Sequence, residues 1–249
     1  MNSTAPQIGF DRFIQLEWAV TALKVRAGTA SLDDLNELLD AAGLGVAARK
    51  KTRTVLNRLW LEPRAELVEF ADRGAEIFKA SPDVPVSALN WGMSIATYPF
   101  FGKVAELVGR LSALQGDCTS AEVHRRMSEI YGEREGTYRM TNMVLQSQAS
   151  WCAIERVDTG KRLIRRVPTT ITTDDLLAWL VEAAIRYMGK VISVPTLQSM
   201  PVLYPFSLNR PLAFVVSNSA NLELRSEGSS SQFVSLLPST LAPQPPSDR

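Results

Sequence analysis

Thr137, Tyr138, Arg139, Asn142 and Gln146 fall within one short stretch at helical spacing. Arg side chains pair with guanine edges, Asn and Gln with adenine edges, and all of them can also meet phosphate oxygens. Further on, residues 152–157 and 162–167 alternate apolar and polar side chains around Asp158-Thr159-Gly160-Lys161. Two strand-like runs and a glycine-containing turn predict a hairpin. This hairpin carries Arg156, Lys161, Arg162, Arg165 and Arg166. A second basic concentration, Arg49, Lys50, Lys51, Arg53 and Arg58, lies earlier in the chain. Four of these crowd residues 49–53, too close to share one helix face. Some therefore reach solvent sideways, as suits a helix that tracks phosphates. The chemistry on offer is charge pairing and hydrogen bonding, without bond-making.

These side chains need a frame. Phe13, Ile14, Trp18, Ala22 and Leu23 predict a helix from Phe10 to about Ala27. Gly28 stops it, and Ser31 caps a second helix with Asp33 and Asp34 in its first turn. The basic helix follows Gly43-Leu44-Gly45 and ends before Pro63. Residues 67–80 form another helix. Residues 82–99 look like a linker with prolines near both ends, yet Leu89, Trp91 and Met93 predict that it is partly helical and packed. A helix over 100–114 ends at Gly116. Thr119-Ser120-Ala121-Glu122 is a capping-box pattern that opens the next helix, with Val123, Met127 and Ile130 as its stripe. The helix holding Tyr138 and Arg139 then runs from about Gly136 to Ser150. Thr172 or Thr173 caps a further helix that ends at Gly189. Beyond Val191, four prolines forbid a long helix. Residues 213–217, 222–225 and 233–237 read as short strands, with a turn at Ser226-Glu227-Gly228. The first nine residues are expected to fray, and the tail after Pro238 to be disordered. No short-period repeat is evident.

The chain has 249 residues, 45% hydrophobic and 21% charged, as for an ordinary globular protein rather than a disordered one. Two cysteines, Cys118 and Cys152, are too few for a disulfide framework or a zinc site of their own. The single histidine, His124, sits beside Arg125 and Arg126 and reads as a surface contact to phosphate or water. No phosphate loop, GxGxxG or GxSxG pattern occurs, and Asp174-Asp175 complements a helix dipole rather than forming an acid–base pair. Enzyme activity, metals and cofactors are therefore not expected. No apolar run approaches a membrane span of about 18 residues, and no secretory signal is expected, which predicts a cytoplasmic protein without membrane contact. The net charge of +1 divides unevenly: −3 over 1–44, +5 over 45–64, −3 over 65–118, +3 over 119–168 and −1 over 169–249. Screening over about 8–10 Å keeps such islands electrostatically distinct.

Over 100–168 the order is helix, helix, tight turn, helix, hairpin, which is that of a winged helix-turn-helix. Residues 10–62 repeat the helical part without a clear wing. The predicted fold is mainly α, with tandem winged helix-turn-helix-like domains and a small β-containing C-terminal segment. Its expected divisions are a helical domain over 10–92, a winged domain over 93–190, a β-rich segment over 191–238 and a disordered tail over 239–249. This layout resembles the BrxA family of small helical proteins in bacteriophage-exclusion (BREX) defence systems. The run from Ala48 to Leu59, the acidic helix after it, and the Thr137-Tyr138-Arg139-Met140 helix leading to a hairpin carry the resemblance, over about residues 10–168. It implies a bacterial antiviral accessory factor that binds duplex DNA, with no catalytic residues. The alternatives are a winged-helix interaction subunit of a larger complex, and a dimeric transcription regulator reading a palindrome. Duplex DNA, other defence proteins and a second copy of the chain are the expected partners.

Overall fold

The computed structural model describes residues 9–81, 83–227 and 231–238. Gly228 of the expected turn, residues 1–8 of the expected frayed segment, and the tail from 239 lie outside the described residues. The chain is mainly helical, with its described strands all beyond residue 116.

The first helix, α1 (Leu16–Arg26), starts later than expected. Residues 10–15 instead form a strap whose backbone is satisfied elsewhere. The Ile14 and Leu16 amides donate to the hydroxyls of Ser147 and Ser150 at 2.9 and 3.1 Å. Phe10 and Ile14 are nevertheless fully buried. Helix α2 (Leu32–Ala41) opens on a reciprocal capping box between Ser31 and Asp34. Helix α3 (Val46–Leu56) carries the first basic island and passes into a π-turn over Asn57–Leu61. Arg26 seals this group by donating to the carbonyls of Trp60 (2.6 Å) and Val68 (3.1 Å) and pairing with Asp72.

Helix α4 (Val68–Ala80) leads to α5 (Val86–Thr97), which occupies the stretch with linker-like prolines. Nearly every α5 side chain is buried, as expected of a helix apolar on all sides. Among its buried polar side chains, Asn90 accepts from Trp60 Nε1 at 2.7 Å and donates to the Val86 carbonyl at 2.9 Å. Trp91 joins distant parts of the chain. Its ring packs edge-on against Phe101, Trp151, Tyr204 and Phe206 at centroid distances of 5.1–6.5 Å. One hydrophobic core therefore runs from Phe10 to Val234. The boundaries expected near 92 and 190 do not separate independent cores.

Next come α6 (Pro99–Gln115), β1 (Asp117–Thr119), α7 (Ser120–Tyr131), α8 (Glu135–Ser150), β2 (Ile154–Val157) and β3 (Arg162–Arg165). The capping box at Thr119 and Glu122 is present. Residues 158–161 turn the hairpin, with Asp158, Thr159 and Gly160 all at positive φ. The three strands form an antiparallel sheet in the order β1-β3-β2, with Cys118 opposite Leu163 at its buried centre.

After β4 (Thr169–Thr170), the same succession returns. It comprises α9 (Asp174–Met188), β5 (Ile192–Ser193), α10 (Val194–Gln198), α11 (Leu212–Ser217), β7 (Leu222–Glu227) and β8 (Ser231–Leu236). Its sheet order is β5-β8-β7, and Ile192 stands opposite Val234 at the buried centre. In both units the first strand ends on a hydroxyl that caps the next helix, Thr119 in one and Ser193 in the other. The second unit differs by an insertion that includes β6 (Phe206–Ser207), paired in parallel with β4.

The strand expected over 213–217 is a helix. Pro211 enters it with φ near the helical value, and Leu212, Val215 and Val216 bury one face at helical spacing while Phe214 is exposed. A short apolar run does not by itself distinguish strand from helix. Nor are strands found between residues 16 and 97 among the described residues, so the 10–62 segment has helices without a hairpin.

Candidate nucleic-acid interface

Helix α8 is held against α7 by Met140, Val144 and Leu145, with Val123 and Met127 opposite. This packing sets the rotation of α8 about its axis. Thr137, expected on the outer face, is fully buried, and Thr141 Oγ1 donates to its carbonyl at 2.8 Å. The polar side chains Thr137, Thr141, Ser147 and Gln148 lie on the inward face beside the apolar ones. Tyr138 and Arg139 are exposed, and Asn142 and Gln146 are half-buried.

Tyr138 does not stand alone. Its ring lies on the imidazole of His124, with centroids 3.9 Å apart and planes inclined by 18°. His124, expected at the surface, is only 7% exposed, and its Nδ1 has no hydrogen-bond partner. Burial, and then the charge of Arg156, push its pKa down to about 4, so the ring is neutral at pH 7.

The hairpin cations divide by role. Arg156 folds back and donates from Nη2 to Asn142 Oδ1 at 2.8 Å, which couples β2 to α8. Gly160 permits this fold, since a Cβ there would lie 2.6 Å from Arg156 Nη2. Arg162 binds Asp117 Oδ2 through Nε (3.0 Å) and Nη2 (2.5 Å), with Asp158 at 3.7 Å. Arg165, expected as a DNA contact, turns inward. Its Nη2 donates to the Tyr204 carbonyl at 2.8 Å, and its guanidinium lies over the Tyr204 ring. Arg166 pairs with Glu155 at 3.3 Å. Lys161, at the turn, is exposed and forms no ion pair among the described residues.

The α3 island is similarly divided. Arg49 pairs with Asp40 and Lys51 with Asp11. Arg53 donates to Asn57 Oδ1 at 2.9 Å and Asn36 Oδ1 at 2.6 Å, and so ties α3 to α2. Lys50 and Arg58 are exposed without ion pairs among the described residues. Both islands rest on the strap. Lys51 pairs with Asp11, and Ile14 and Leu16 bind the end of α8.

Sequence reasoning missed one residue here and placed another, His124, at the surface. Arg134 is exposed at the entry to α8, with Nε 3.4 Å from Thr137 Oγ1. Its position just before a helix holding other candidates was the available signal. His124 carried no signal, because its burial depends on Tyr138 from another helix.

Burial, followed by the charges of Glu122 and Asp117, pushes the Cys118 thiol up to about 12, which keeps it protonated and unreactive. Cys118 and Cys152 are both free. Among the described residues no three His, Cys, Asp or Glu side chains gather as metal ligands, and no helix is long and apolar enough to cross a membrane. No protein-family model, no curated protein and no solved structure matches the chain.

Proposed function

We propose that the chain is a non-catalytic DNA-binding protein whose 99–165 unit is a winged helix-turn-helix. In this reading α7 and α8 are the paired helices, α8 enters a groove, and β2–β3 is the wing. The observation that carries it is the Arg156–Asn142 bond within the β1-β3-β2 arrangement, which fixes the hairpin against the outer face of α8. Arg134, Arg139 and Lys161 then supply positive charge without internal carboxylate partners among the described residues. The unit has ten basic residues against eight acidic ones.

The 174–236 unit, rather than the N-terminal 10–92 segment expected from sequence, is the second winged element in this reading. It has four basic residues against five acidic ones, and Phe214 is 62% exposed on α11. Those features favour contact with a protein over contact with phosphates. A docking role for the whole molecule is thus the second reading, and a dimeric regulator would use the same face on a palindrome. The layout resemblance to the BrxA family supplies the proposed setting, an accessory role in bacterial anti-phage defence in the cytoplasm.

A salt titration of binding to duplex DNA tests the proposal. Affinity should fall steeply with salt. Replacing both Arg139 and Lys161 with Ala should flatten the log–log slope by about 2, because each neutralised phosphate contributes close to one unit. Undetectable binding at low salt, or a flat salt dependence, would falsify it.

A further inference from the structure

The outward surface of α8 offers fewer groups that read base edges than the sequence suggests. Thr137 points inward, and Asn142 Oδ1 already accepts from Arg156. What α8 offers instead is an aromatic plane. Tyr138 is 61% exposed and has one ring face backed by the imidazole of His124. His124 is itself walled in between α7 and α8, so the phenol ring rests on a support that cannot withdraw. Arg134, just before α8, and Arg139, next to Tyr138 on it, are exposed cations without ion pairs among the described residues, interspersed with the exposed carboxylates of Glu133 and Glu135. An exposed ring held flat, with unpaired cations close to it in the chain, is the chemistry that binds unpaired nucleotides: the ring stacks on a base and the cations hold its phosphates. A continuous duplex cannot satisfy it, because its base faces are already stacked on one another.

We infer that Tyr138 is a stacking platform for an unpaired base, and that the favoured ligand is DNA in which a duplex opens into single strands. This inference rests on the DNA-binding reading above and specifies the substrate of that same site. The charged groups hold the duplex arm. The Tyr138 ring takes the first unpaired base, and His124 keeps the ring oriented.

The test compares a blunt duplex longer than the protein's footprint with the same duplex carrying unpaired arms, at equal salt. A 2-aminopurine placed at the first unpaired position reports stacking through its fluorescence. Wild type should bind the forked DNA about tenfold more tightly than the blunt duplex, the scale of one base–aromatic stack, and quench the probe. Tyr138→Phe keeps the ring and should keep both effects. Tyr138→Leu should lose the preference and the quenching, with an unchanged melting temperature to confirm its fold. Equal affinity for the two DNAs without quenching overturns the platform and leaves duplex binding standing. A Tyr138→Leu variant that retains the preference also overturns it. Failure to bind either DNA removes the underlying DNA-binding reading as well.

Discussion

Arg156, on β2, reaches across to Asn142 on α8 and donates a 2.8 Å hydrogen bond to its amide oxygen. This bond decides how the hairpin stands relative to the helix. It depends on Gly160, which has a φ of +85° and lies against the guanidinium.

Gly160→Ala should therefore destabilise the protein by about 1–2 kcal/mol, from the left-handed backbone and the displaced Arg156. Arg156→Ala alone should cost a similar amount, about 1–2 kcal/mol, through the lost charge-assisted bond. The double variant should cost less than the two together, because the steric part of the glycine effect disappears with the arginine. Denaturant unfolding of the four proteins measures this coupling, and strict additivity would sever the link between the two residues.

His124 predicts a pH dependence. In the unfolded chain its ring gains a proton near pH 6.5, whereas in the folded protein burial and Arg156 hold the pKa at about 4. The unfolded state therefore binds more protons between these values. The stability tied to a neutral His124 is fully present above pH 6.5 and is lost as pH falls toward 4. His124→Phe keeps a ring against Tyr138 and removes the titration. Wild type should lose more stability than the variant between about pH 7 and pH 5, and parallel losses would contradict the assignment.

Arg165 and Lys161 should separate folding from binding. Arg165→Ala removes a hydrogen bond to the Tyr204 carbonyl and a guanidinium–ring contact. It should lower stability by about 1–2 kcal/mol and leave the salt slope of DNA binding unchanged. Lys161→Ala should leave stability within about 0.5 kcal/mol and reduce the slope by about one. Paired salt titrations and melting curves give both readouts for each variant.

Gly92 of α5 makes room for the Trp179 ring of α9. A Cβ there would lie inside van der Waals distance of the Trp179 ring, which is stacked on Phe70 and donates from Nε1 to the Phe70 carbonyl at 2.8 Å. Since the ring is held on both counts, it cannot yield cheaply. Gly92→Ala should cost about 2–3 kcal/mol, and the midpoint of chemical denaturation should fall accordingly.

The elements that were legible in sequence depend on near neighbours. The capping boxes Ser31–Asp34 and Thr119–Glu122 close over three residues, and the hairpin turn at 158–161 over four, so their donors and acceptors can be found in one short window. The helices and the hairpin of the 99–165 unit followed from such signals, though not the edge strand β1, as did the buried character of Leu89, Trp91 and Met93. The 213–217 run was misread because a few apolar residues fit either period. The candidate site was legible as a set of residue types and not as a set of orientations. Polar residues lie on both faces of α8, so only its packing on α7 turns Thr137 inward and leaves Tyr138 outside.

By itself, the sequence determined most of the helical segments, the two capping boxes, and where the positive charge is concentrated. These are matters of bonds and periodicities a few residues long. Tertiary structure decided which cations remain available. Arg165 is engaged by Tyr204, 39 residues away, and Arg162 by Asp117, 45 residues away. It also decided that His124 is buried beneath Tyr138, and that the 174–236 segment repeats the strand order of 99–165. Such partners meet only when the core closes, and a local window carries no record of them.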